Sequence, residues 1–102
     1  MTYSWEIEKV DFAIEKNGLD NVAIYIHFKY YATHDSGETD FIGGVYELND
    51  PDGNNFTNYL SLTKDNFINW LSNGMDTSAM QHELNKRITE KINPTIITIN
   101  YN

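Results

Sequence analysis

Cysteine is absent from this chain of 102 residues. That excludes disulfides, thiolate metal sites and cysteine nucleophiles together. It fits a reducing cytosol, but exported proteins can also lack cysteine, so the absence constrains chemistry more than address. Long apolar runs are missing too, since none approaches the roughly 20 residues of a bilayer-crossing helix. The opening Met1-Thr2-Tyr3-Ser4-Trp5 lacks the charged-then-apolar profile of a secretory signal. Basic residues are scarce, 7 against 15 acidic ones, giving a formal net charge of -8. They are scattered, with Lys86-Arg87 the only adjacent pair. Such a surface repels phosphate backbones and anionic lipid heads, which argues against nucleic-acid and membrane partners. The expectation is a soluble protein with no obvious targeting signal.

What is present suffices for a core. Hydrophobic residues make up 40% and aromatic residues 14% of the chain. A chain of this length fits one domain, which buries about two-thirds of its unfolded surface. From Tyr3 to Lys16 the apolar residues alternate, as in a strand, but Tyr3, Trp5 and Ile7 are odd whereas Val10, Phe12 and Ile14 are even. A phase change needs one extra residue, which a β-bulge near Glu8-Lys9 would supply; a bend or two short strands would serve equally. Asn17-Gly18 suits the positive φ angles of a tight hairpin. Asn21 to Thr33 is the cleanest strand. Val22, Ile24, Ile26, Phe28, Tyr30 and Ala32 are expected on the core face, and Ala23, Tyr25, His27, Lys29, Tyr31 and Thr33 on the other. A polar turn over His34 to Glu38 leads to a third strand, Thr39 to Leu48. Its Gly43-Gly44 suggests a bulge or a close backbone approach.

After a loop rich in Asn, Asp, Gly and Pro, Thr63 is positioned to cap a first helix through the backbone of Asn66. Phe67, Trp70 and Leu71 form its apolar stripe, and Asn73-Gly74 ends it. A second helix is expected from Ser78, capped with Gln81 and striped by Met80, Leu84, Ile88 and Ile92. Pro94 ends it. Residues 95–102 alternate Ile97, Ile99 and Tyr101 with polar neighbours, as a strand would. They either join this domain's sheet or pair with another chain. The fold expected is α+β: an antiparallel meander of three to four strands, then two short amphipathic helices on one face. The domain spans 1–94, with 95–102 a terminal strand or extended arm.

Candidate sites each have a plain structural explanation. Asp50-Pro51-Asp52-Gly53-Asn54-Asn55 resembles the first half of a calcium loop, but Asn55 stands where the sharp-turn glycine belongs and Ser61 where the bidentate glutamate belongs. An ordinary turn explains it more simply. His27, His34 and His82 lack a second histidine at ligand spacing, so no local metal pair forms. No serine, at 4, 36, 61, 72 or 78, lies in a nucleophile elbow. Glu6 and Glu8 share a strand face, yet on an acidic surface they read as solvated. Gly43-Gly44 lacks the lysine and helix of a phosphate loop. Trp5 and Trp70 are assigned to the core. Tyr25, Tyr31 and Tyr46 also invite a binding reading, and if the helices cover one face only, Tyr25 and Tyr31 form a patch on the other that needs a partner or a cover.

Met1-Thr2-Tyr3-Ser4-Trp5, Phe56 with Tyr59, Leu62-Thr63-Lys64-Asp65, Trp70 and Ile92-Asn93-Pro94 together resemble a family of small tailed-bacteriophage proteins. The chain departs from that pattern in its Asn-rich composition and β-prone ending. The resemblance implies a phage setting and transfers no catalytic residue. The function expected is a non-enzymatic virion accessory, such as a capsid decoration or a tail or neck component, with no cofactor. Its partners would be other phage structural proteins or a second copy of itself, met through Tyr25, Tyr31, Ile97, Ile99 and Tyr101. The alternatives are an acidic inhibitor of a host protein in the host cytoplasm, and a small hydrolase with an unrecognised site.

Overall fold

A computed structural model describes residues 1–48 and 62–101. The calcium-like turn at Asp50–Asn55, with Ser61, lies outside the described residues. Strand β1 (Thr2–Lys16), β2 (Leu19–Thr33) and β3 (Thr39–Glu47) precede helices α1 (Lys64–Gly74) and α2 (Thr77–Ile92). The strands form an antiparallel sheet in the order β1-β2-β3, with both helices following in sequence, which is the α+β architecture expected.

The hairpin between β1 and β2 closes on Asn17 and Gly18, with φ angles of 54° and 80°. Gly18 tolerates that angle without a Cβ penalty, and its N–H donates to Glu15 at 2.7 Å. Pairing along the hairpin runs from Lys16 with Leu19 to Thr2 with Thr33 and skips twice. The first skip leaves Glu8 unpaired, which is the bulge that the phase change requires. The second leaves Ile24 unpaired between Tyr25 and Ala23, and no pattern in the sequence announces it.

That second bulge corrects one expectation. Strict alternation over Val22 to Ala32 breaks at Ile24, so Ala23, expected outside, packs against the core cluster around Ile26 and Phe28. Ile14 keeps the phase of Val10 and Phe12, which pack against the core, yet it is 85% exposed near the hairpin turn.

The core forms in two clusters on one face of the sheet. Under α2, Tyr30 and Ala32 meet Met80, Leu84 and Ile88, flanked by Tyr3, Ile42 and Ile92. Under α1, Ile26 and Phe28 meet Phe67 and Leu71, flanked by Ile7, Val10, Phe12, Tyr46 and Trp70. Trp5 and Met75 touch both clusters and join them. The Trp5 ring centroid lies 4.5 Å from that of Tyr30 and 5.5 Å from that of Phe28. Tyrosines inside this core keep their hydroxyls bonded: Tyr3 donates to Asn85 at 2.6 Å, and Gln81 donates to Tyr30 at 2.9 Å.

Helix α1 starts as its sequence predicts. Thr63 caps it, and the Asn66 side chain returns the bond to the Thr63 N–H at 2.8 Å. Gly74 is the last residue of α1, and glycine there answers a different need from the one expected. Its φ is not positive; instead a Cβ built on it would run into the Tyr46 hydroxyl. Helix α2 begins earlier than the Ser78 capping box implies. Asp76 is its cap, accepting from the Ala79 N–H at 3.0 Å, and Ser78 lies inside the first turn. A carboxylate there also meets the positive end of the helix dipole, which a hydroxyl does not.

Candidate docking surfaces

The face of the sheet opposite the helices carries cross-strand rows set by the register. Ser4, Tyr31 and Phe41 form one; Glu6, Lys29 and Gly43 the next; Lys9, His27 and Val45 a third; Asp11, Tyr25 and Glu47 a fourth. Tyr25 and Tyr31 therefore stand on this outer face, as their alternation predicts. Tyr46 does not, because it packs toward α1.

The rows are cross-braced. Tyr31 donates to Glu6 at 3.0 Å, and this bond holds its phenol above the ordinary tyrosine range. Lys29 lies 3.4 Å from Glu8, whose charge raises the lysine pKa. Glu6 and Glu8 thus serve two different partners. Gly43 offers no side chain, so the Phe41 ring spreads beside it, 5.4 Å from the Tyr31 ring and 4.9 Å from the Lys29 ammonium. His27 lies 2.6 Å from Asp11, on the same face. His34 is bound within its turn to Ser36, and His82 is exposed on α2. Among the described residues no three of His, Asp or Glu converge as metal ligands.

Two members of this face escaped the sequence reading. Phe41 and Val45 are exposed beside Tyr31 and His27, although β3 was not resolved into faces. Counting across the His34–Glu38 turn from the Thr33–Thr39 pair would have placed both.

Beyond α2 the described chain has no further helix or strand. Asn93 ends the helix at φ -128° and ψ 78°, outside the helical region that the proline after it disfavours. The Glu90 carboxylate then accepts bonds from the Thr95 N–H and hydroxyl, both at 2.7 Å, and from the Ile96 N–H at 2.8 Å. After that clamp Ile96, Ile97, Ile99 and Tyr101 are 74%, 81%, 61% and 89% exposed. This segment does not join the domain's own sheet.

The clamp predicts a pH response. Its hydrogen bonds, the Thr95 hydroxyl first, hold the Glu90 pKa below the usual glutamate value. A lowered folded-state pKa means that anchoring is complete above the ordinary glutamate range and is lost as pH falls through the lowered value. The Thr95 and Ile96 amide resonances should therefore shift in an acid titration below that range, and Glu90→Gln should show the weakened anchor at neutral pH. Resonances that stay still on acidification would mean that the clamp does not hold the segment.

Neither a comparison with curated proteins nor one with solved structures found a match. A family model does match, over residues 1–100, so its pattern runs through the exposed segment as well as the sheet and helices. The chain belongs to that family, described as a domain of unknown function (DUF7936).

Proposed function

We propose that the protein is a non-enzymatic accessory of a phage particle, a capsid decoration or a tail or neck component that works through protein–protein contact. The observation that carries this reading is the segment after α2. Three isoleucines and a tyrosine, in a stretch without a charged side chain, are held clear of the body by three bonds to one carboxylate. Exposed β-prone apolar chain of this kind is an aggregation hazard unless a partner takes it up as a strand. The outer face supports the same reading, because Tyr25, Phe41 and Val45 present a braced aromatic and aliphatic patch. The phage setting is supported by the motif resemblance in the sequence.

Deleting residues 95–102 is expected to leave the melting transition in place and to remove the protein from particles, where mass spectrometry of the full chain should find it in stoichiometric amounts. Unfolding of the truncated domain would assign the segment to the core instead. Absence from particles, together with capture of a basic host protein, would replace this reading with the acidic inhibitor that the charge of -8 suggests.

A further inference from the structure

The two edges of the sheet are not equivalent. On β3, Lys91 donates to the Thr39 carbonyl at 3.0 Å and Arg87 to the Phe41 carbonyl at 3.4 Å. Both cations come from α2, and Lys91 also reaches Asp40 at 3.5 Å. These carbonyls are held by side chains, so an incoming strand would have to displace two charged groups to use them. Lysine at a strand edge is a standard barrier to strand addition.

The opposite edge has no such barrier over Thr2–Ile7, where among the described residues no strand or cationic side chain binds the outer backbone of β1. Its core-side row, Tyr3, Trp5 and Ile7, is only half-buried, because the sheet stops there. Its other row, Ser4 and Glu6, is polar and exposed.

The segment after α2 has the matching two-sided pattern. In an extended conformation Ile97, Ile99 and Tyr101 share one side, and Ile96, Thr98 and Asn100 share the other, polar from Thr98 onward. Laid against β1, the apolar row would extend Tyr3, Trp5 and Ile7, and the polar row would extend Ser4 and Glu6. In this structure the segment does not fold back to make this pairing within its own chain. Lys91 fixes the end of α2 over Thr39 and Asp40 of β3, two strand spacings of about 4.8 Å from β1. Glu90 then sets the exit direction.

Resting on the reading of this segment as a docking strand, we propose that Ile96–Tyr101 of one copy adds as an edge strand to Thr2–Ile7 of β1 in a second copy. The pairing is either reciprocal, giving a closed dimer, or repeats head to tail along a row of copies. Each copy carries a charge of -8, so the bodies repel, and association should strengthen as salt screens them. An inhibitor drawn to a basic partner would behave in the opposite way.

The lack of cysteine makes the test clean. Full-length Thr98→Cys and Ser4→Cys chains are mixed and oxidised, with Val45→Cys as the β3 comparison. The expected product is a covalent pair of the Thr98→Cys and Ser4→Cys chains, absent from the Thr98→Cys and Val45→Cys mixture. Adding Arg87→Ala and Lys91→Ala to the Val45→Cys chain should make that second product appear. Sedimentation should show the full chain self-associating more strongly at higher salt. Pairing to β3 with the cations intact, or a disulfide within one chain of the Ser4→Cys, Thr98→Cys double variant, would overturn the inference. So would a single-copy species at every concentration. If the full chain stays single-copy while loss of 95–102 still empties the particles, the docking strand stands and its self-partner falls. If that deletion changes neither property, the docking strand itself is wrong.

Discussion

Trp5→Ala is expected to destabilise the domain by about 3 to 4 kcal/mol, enough to remove a large part of a stability on the order of 5 to 15 kcal/mol. The residue is only half-buried, yet it is one of two that touch both core clusters. Its ring tilts against Tyr30 and meets Phe28 edge-on, and contacts of this kind contribute beyond area alone. Removing it leaves a gap between the part of the core under α1 and the part under α2. Denaturant unfolding followed by far-ultraviolet circular dichroism should show the fall in midpoint. A Trp5→Phe chain should recover more than half of the loss, because it keeps a ring between Tyr30 and Phe28. A change below about 1 kcal/mol for Trp5→Ala, the scale of an ordinary surface substitution, would mean that the clusters do not depend on this bridge.

Leu84→Ala should cost about 3 kcal/mol, within the range for a fully buried leucine in a core that collapses only partly. Leu84 is 0% exposed and sits mid-way along the α2 stripe, between Met80 and Ile88. The neighbouring polar bonds from Gln81 to Tyr30 and from Tyr3 to Asn85 pin the helix in place, which limits its ability to settle into the cavity. Leu71→Ala, the equivalent change under α1, tests whether the clusters unfold as one. The two losses should add to within a few tenths of a kcal/mol if the sites are independent. A marked shortfall in the double variant would show coupling through Trp5 and Met75. Thermal or chemical unfolding measures both.

Most of the architecture is legible in the residues because each element rests on local chemistry. Asn17-Gly18 marks the hairpin, the odd-to-even shift marks the first bulge, and Thr63 with Asn66 marks the start of α1. The fourfold spacing of Met80, Leu84 and Ile88 marks the face that α2 buries. The second bulge at Ile24 is silent, because an apolar residue in an apolar run leaves no trace when it drops out of pairing. The exposure of Ile14 is equally unmarked, since it keeps the phase of Val10 and Phe12. Gly74 resembles a helix terminator, and its need for space becomes visible only once Tyr46 is seen against it.

The candidate docking surfaces are half legible. Tyr25 and Tyr31 follow from strict alternation, and the β-prone composition of 95–102 is plain. Phe41 and Val45 require the register across the turn. The cations on β3 are beyond sequence reasoning, since Arg87 and Lys91 read as solvated positions on a helix until α2 is laid over that strand. The clamp is hidden likewise: Glu90 is one acidic residue among 15, and only geometry brings it to Thr95.

The pairing of two 15-residue strands across a two-residue turn also bears on synthesis. The longest ladder among the described residues has both its strands available once Thr33 has left the ribosome, while the α2 stripe that covers Tyr30 and Ala32 is still being translated. For that interval the nascent hairpin displays Trp5, Phe28 and Tyr30 to the cell, a natural site for a chaperone to hold.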